Sequence, residues 1–243
     1  MSKRIGALST YLLISLSLIL NLAFVAVAGY WTLMRGGIQH VSAKAIIGVK
    51  PMDYSQARRE LYRKADRLEL GKRPIVMFGD SLTGGGLWEE WFGPSVLNRG
   101  IGGESTREAL ARATDVADLQ PARVFVMLAS NDYQKVPVEE TRRNISAIIR
   151  TIHDRSPRSE VYVESLLPAP SREQERWTRV VNASLQSVAS EEHARWIDLA
   201  PAFADGDLMR EGLTVDGTHL NAKGYELWQR ALAPYVLGPA TRL

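Results

Sequence analysis

The chain has 243 residues, 45% of them hydrophobic and 23% charged, and can bury a full core in one domain once its first fifty or so residues are set aside. The 30 Lys and Arg against 27 Asp and Glu leave a net charge of only +3, with no nucleic-acid module signature, which argues against a nucleic-acid partner. With 0 cysteines, a disulfide framework, a thiol nucleophile and a thiolate metal site are excluded.

From about Ile5 to Met34 the chain carries no charge, and Lys3, Arg4 and Arg35 flank the run. An apolar run longer than about 20 residues can cross a bilayer, whereas a secretory core is usually about 7 to 15 residues. Residues 1–36 are therefore expected to form an uncleaved signal anchor, one transmembrane helix that leaves the remainder outside the cytoplasmic membrane. The flanking charges orient it only weakly. The competing reading is a cleaved signal peptide and a secreted product, because Ala26, Val27 and Ala28 precede Gly29 in an A-x-A pattern. Residues 37–52 read as a linker closed by Pro51, and residues 53–243 as the functional domain. That domain opens on a predicted helix from Asp53 to Leu70. There Tyr54, Ala57, Leu61, Ala65 and Leu68 recur at three- and four-residue steps, with Arg58, Arg59, Arg63, Lys64 and Arg67 between them. Its basic face is expected to be solvated, with anionic lipid headgroups as the alternative.

Next comes a short apolar run, Ile75 to Phe78, bounded by Pro74 and Gly79 and followed by Asp80 and Ser81. This reads as a buried strand running into a turn. Further strands are predicted at Ser95–Ile101, Arg123–Ala129, Glu160–Leu167 and Arg195–Leu199. Helices are predicted at Glu104–Leu119, Val138–His153, Arg172–Ala194 and Ala222–Leu237, the last broken or ended near Pro234. Alternation of this kind requires right-handed crossovers, so the expected fold is α/β: three α/β/α layers around a parallel sheet of about five strands.

A serine just past the first strand sits where open α/β sheets bind their ligands. Its hydroxyl is a poor nucleophile until a base takes the proton. Of the four histidines, His40 lies in the linker, His153 beside Asp154, and His193 beside Glu191 and Glu192. His219 lies three residues after Asp216 in a glycine-containing turn, a spacing that lets the carboxylate reach Nδ1 and leaves Nε2 outward. Trp88 and Trp91, downstream of Ser81, are candidates for an acyl pocket, with a core role as the alternative. The G-x-S-x-G elbow is not met, because Thr83 replaces its second glycine. Neither a phosphate loop nor a full dinucleotide fingerprint is present. Asp205, Asp207 and Glu211 read as a solvated acidic loop rather than a cation site. No metal and no cofactor are expected.

Four blocks occur in order: Gly79-Asp80-Ser81, Asn98 to Glu104, Ser130-Asn131-Asp132, and Asp216 to Asn221. Together they resemble the SGNH, or GDSL, hydrolases over roughly Pro74 to Leu237. The resemblance implies a flavodoxin-like fold and a serine acylhydrolase with Ser81, Asp216 and His219 as catalytic residues. It also implies an oxyanion hole made of the Ser81 and Gly103 N–H groups and the Asn131 amide. Within the family the pattern looks nearest to compact acetylhydrolase and lysophospholipase-like members. The expected substrate is an acyl ester, such as an O-acetyl carbohydrate or a small lipid ester. Acyl transfer, thioester hydrolysis and noncatalytic binding are the alternatives. One departure is Ala129, where the family usually has glycine. If that position needs a left-handed backbone, a Cβ there costs on the order of 1 kcal/mol and could displace Asn131.

Overall fold

The computed structural model describes residues 15–30, 54–68 and 71–238. They fall into two compact units divided between Asp53 and Tyr54. In the first unit residues 15–30 are helical, and Leu18, Leu22 and Phe24 are exposed. Among the described residues no helix is long and apolar enough to cross a membrane. The spanning helix expected within residues 1–36 is not found among the described residues. Residues 5–14 and 31–34 of that run, and the linker at 37–52, lie outside the described residues.

The second unit begins with helix α1 (Tyr54–Asp66) and then alternates strands and helices. The strands are β1 (Ile75–Gly79), β2 (Val96–Gly100), β3 (Arg123–Met127), β4 (Glu160–Glu164) and β5 (Arg195–Ile197). All pair in parallel, in the order β2-β1-β3-β4-β5. Side chains alternate between the faces of a strand, so each strand feeds two cores. Val76, Phe78, Val124, Val126, Val161 and Val163 pack on one face with the helices α5 (Ala113–Asp118), α6 (Val138–Arg155) and α7 (Arg172–Glu191). On the other face Met77, Phe125, Met127 and Tyr162 meet Trp88 on α3 (Trp88–Phe92), Phe203 on α8 (Ala200–Phe203) and Trp228 on α9 (Ala222–Val236). The result is the three-layer α/β/α architecture with five parallel strands.

Local departures from expectation have physical causes. The helix expected over Glu104–Leu119 is two short ones, α4 (Thr106–Leu110) and α5, broken at Arg112. Its guanidinium is drawn inward to pair with Glu104 at 2.7 Å, to donate to the Gly79 carbonyl at 3.1 Å and to lie 4.4 Å over the Phe78 ring. The basic face of α1 is not simply solvated: Arg59 and Arg63 both reach Asp115, at 3.0 and 3.1 Å. Helix α9 is not ended by Pro234 but runs two residues past it, although Pro234 lacks the N–H that would bond the carbonyl four residues back. A two-stranded hairpin, Ala204–Asp205 with Leu208–Met209, had no periodic signal to announce it because each strand is only two residues long.

Candidate active site

The strand order reverses at β1, with β2 on one side and β3 on the other. Such a switch point opens a crevice at the carboxyl ends of the strands. Ser81 stands there as the first residue of α2 (Ser81–Gly84), capped by Asp80, whose Oδ1 accepts from the Leu82 N–H at 3.0 Å. Gly79 is required at the end of β1, since a Cβ would stand 1.9 Å from Thr83 Oγ1 and 2.6 Å from the Met127 carbonyl. Side chains on neighbouring elements fix α2 from outside. Tyr225 Oη donates to the Leu82 carbonyl and Trp88 Nε1 to the Thr83 carbonyl, each at 2.8 Å. Asp80 is wholly buried, and burial pushes its carboxyl up to about 6, against the opposing effect of hydrogen bonds from the Ser130 hydroxyl and the Leu82 N–H. Tyr225 is raised to about 12, by burial and then by the charge of Asp80.

His219 arrives from the loop before α9. Its Nε2 is 3.1 Å from Ser81 Oγ, and its Nδ1 is 2.7 Å from Asp216 Oδ2. Asp216 Oδ1 accepts the backbone N–H groups of His219 and Thr218, at 2.7 and 2.9 Å. These bonds, led by the one to the imidazole, hold the Asp216 carboxyl down to about 2. Gly217 takes φ +90° between them, a left-handed conformation that glycine adopts at little cost. Asn221 caps α9 by accepting from Gly224 N–H, and its amide donates to the Gly212 carbonyl, which ties the loop at its far end.

The Asn131 amide donates to the Glu104 carbonyl at 3.0 Å, next to Gly103 at φ +80°. Among the described residues no acceptor takes the Ser81 or Gly103 N–H. Ala129 does adopt a left-handed backbone, φ +106°, in a fully buried position. The residues just after it are held in a buried cluster. Asp132, also fully buried, accepts from Thr106 N–H and Oγ1 and from Thr141 Oγ1 at 2.6 to 2.9 Å.

A small cavity of about 30 Å³ is lined by Leu82, Ser130, Gly217 and Thr218, chain neighbours of Ser81, Asn131 and His219, together with Leu167 and Trp177 among others. Trp88 and Trp91 are not part of it. Trp88 is 0% exposed, stacked within the core against Phe92 and edge-on to Trp228, and Trp91 is half-buried beside it. The indole N–H of Trp88 finds its acceptor inside the turn that follows Ser81, which is why this residue faces inward. Among the described residues no group of three or more His, Cys, Asp or Glu is placed to hold a metal ion. Asp207 of the acidic loop pairs with Arg179 at 2.5 Å.

Residues 77–227, more than half of the chain, match the GDSL-like lipase/acylhydrolase family. The chain belongs to that family. This GDSL hydrolase is also similar over 80 residues, at 35% identity, to the uncharacterized lipoprotein YqeF of Bacillus subtilis (strain 168). That match covers 26% of this chain and 33% of the relative, so it spans only a third of the relative's length. Among solved structures, a GDSL-like lipase from Bacteroides thetaiotaomicron superposes with a TM-score of 0.67 at 19% identity, over 76% of this chain and 98% of that one. Axe2, an acetylxylan esterase from Geobacillus stearothermophilus, superposes with a TM-score of 0.59 at 19% identity, over 71% and 97%. At these identities the likeness speaks for the fold.

Two groups near the site carried no sequence signal of their role. Arg112 lies within a helical pattern and reads as one more surface cation, yet its pair with Glu104 is 3% exposed on both sides. Trp177 and Thr178 lie on α7, about 40 residues before His219, and line the cavity only through tertiary packing. The spacing of the T-R-V-V stretch that follows shows an amphipathic helix and nothing of which face meets the site.

Proposed function

We propose that this hydrolase is a serine esterase for short acyl groups, held by its amino-terminal segment at the outer face of the cytoplasmic membrane. The observation that carries the reading is the continuous line of hydrogen bonds from Ser81 through His219 to Asp216, beside a small apolar cavity. In this reading Asp216 fixes Nδ1, so that Nε2 accepts the Ser81 proton as Oγ attacks the ester carbonyl. The free N–H groups of Ser81 and Gly103 and the Asn131 amide receive the oxyanion. Collapse breaks the bond to the alcohol oxygen, which takes the proton from the imidazolium. Water then repeats the sequence, releasing the acid and restoring Ser81.

The cavity supports a short acyl group. Its volume leaves room for about two water-sized groups, enough for an acetyl methyl and little more. The acetylxylan esterase among the structural neighbours supports an O-acetyl carbohydrate as substrate. The uncharged run from Ile5 to Met34 supports the anchor, with secretion after cleavage near Ala28 as its variant. Transfer to a sugar hydroxyl uses the same groups, and the 48% exposed His219 side chain leaves space for an acceptor other than water.

The test is hydrolysis of p-nitrophenyl esters from acetate to octanoate by the full-length protein in detergent, beside Ser81→Ala and His219→Ala. Turnover should fall steeply beyond propionate, and each variant should lose about 10³-fold or more. Turnover that rises with chain length would overturn the short-acyl reading. Undiminished turnover in either variant would overturn the triad.

A further inference from the structure

Helix α1 lies ahead of the family match, and none of its residues is buried. Since burial of apolar area is the main stabilising term, such a helix adds little to the core. It is nevertheless fixed along its length to elements that carry the site. Ser55 donates to Glu104 at 3.0 Å, Tyr62 to the Gly100 carbonyl at 2.9 Å, and Arg99 to Asp66 at 2.9 Å. The two arginine contacts with Asp115 complete the attachment. Glu104 is the residue whose carbonyl receives the Asn131 amide, and Gly100 ends β2 just before Gly102 and Gly103.

These contacts set the place of Tyr54, the first residue of α1. A Cβ at Gly102 would meet Ser81 Cβ at 3.7 Å and Tyr54 Cε1 at 3.9 Å, ordinary contact distances, so Ser81 and the Tyr54 ring both border Gly102. Tyr54 is 64% exposed. The other exposed tyrosine of this unit, Tyr235, packs against Tyr162 near the end of α9 and takes no part in the site.

The carbonyl carbon attacked by Ser81 has three other substituents. The oxygen belongs with the N–H donors and the acyl group with the cavity, which leaves the alcohol portion outside, over the exposed rim. We propose that Tyr54 is a specificity residue for that alcohol portion, its ring packing on the flat face of a cyclic alcohol, a sugar ring, that lies over Gly102 as it leaves Ser81. The proposal rests on the esterase reading. A tyrosine ring supplies an apolar face and a hydroxyl with few rotatable bonds, so little order is lost when a ring settles on it. The carbohydrate is thus recognised by α1, an element that precedes the family match.

The experiment compares the full-length wild type, Tyr54→Ala and Tyr54→Phe on ethyl acetate and cyclohexyl acetate. Both share one acyl group and alkyl alcohols of similar leaving ability. Tyr54→Ala should raise KM for cyclohexyl acetate about 3- to 10-fold and leave ethyl acetate unchanged, whereas Tyr54→Phe should match the wild type on both. Equal kinetics of Tyr54→Ala and wild type on cyclohexyl acetate would overturn the proposal. So would an equal loss on both esters, which is what a purely structural role of α1 predicts. A folded wild type inactive on both esters would remove the esterase reading and this one together. An active wild type with an unaffected Tyr54→Ala would remove this one alone.

Discussion

Glu164, at the end of β4, is 1% exposed, and Trp228 Nε1 donates to its Oε2 at 2.7 Å. Burial raises its carboxyl to about 8, from 4.5, and the indole N–H only partly opposes this. A carboxyl whose folded value lies above its unfolded value keeps its proton in the folded state while the unfolded chain releases it. Its contribution is therefore fully present below pH 4.5 and is lost as pH rises towards 8. With those two values, linkage puts the loss between pH 5 and pH 8 at about 3 to 4 kcal/mol, a large share of the ~5–15 kcal/mol that holds a domain folded. Glu164→Gln keeps an oxygen for Trp228 and removes the titration. Urea unfolding of both proteins at pH 5, 6, 7 and 8 measures the difference directly. The wild type should lose stability relative to the variant by up to about 1.4 kcal/mol per pH unit. Parallel pH profiles for the two proteins would refute the reasoning, and would mean that Glu164 is ionised and hydrated in the folded state.

Three further outcomes follow from the site and its supports. Asn131→Ala should lower kcat on p-nitrophenyl acetate about 10²- to 10³-fold with little change in KM, in steady-state assays. Arg112→Met strands the Glu104 carboxylate and should cost about 3–5 kcal/mol in urea unfolding, most of it recovered when Glu104→Gln is added. A cost under about 1 kcal/mol for the single variant would show that water reaches Glu104. Ala129→Gly relieves about 1–3 kcal/mol of backbone strain but adds about 0.4–1 kcal/mol of unfolded-state entropy and removes a buried methyl worth about 0.8 kcal/mol. The thermal midpoint should accordingly move by only a few degrees, and turnover should be retained.

The alternation of strands and helices is legible in the sequence because it rests on local properties. Val124 and Val126 alternate with Phe125 and Met127 whether or not a sheet has formed around them, and Ile145, Ile148, Ile149 and Ile152 recur at helical steps along α6. Part of the site is local in the same sense. Asp216 binds the backbone and the ring of His219 three residues away, within one turn, so the contact is local, although such a spacing is common in surface loops and it is the block's place in the chain that singles it out. Ser81 and His219 are 138 positions apart, and their meeting depends on the β2-β1-β3 crossover, which brings the last loop over the end of the first strand. Other features depend wholly on such long-range placement. Trp88 lies inward because Trp228 and Phe92 receive it. Arg112 breaks its helix because Glu104 and the Gly79 carbonyl are within its reach. Periodicity could not assign Trp177 to the cavity wall, since it shows that a helix has an apolar face but not what that face meets. Composition and turn chemistry, acting over a few residues, thus determined the elements and the Asp216–His219 pair. The cavity lined by Leu82 and Trp177, the buried ion pair and the position of Tyr54 beside Gly102 were decided by tertiary structure, because each joins segments whose separation along the chain carries no information about their separation in space.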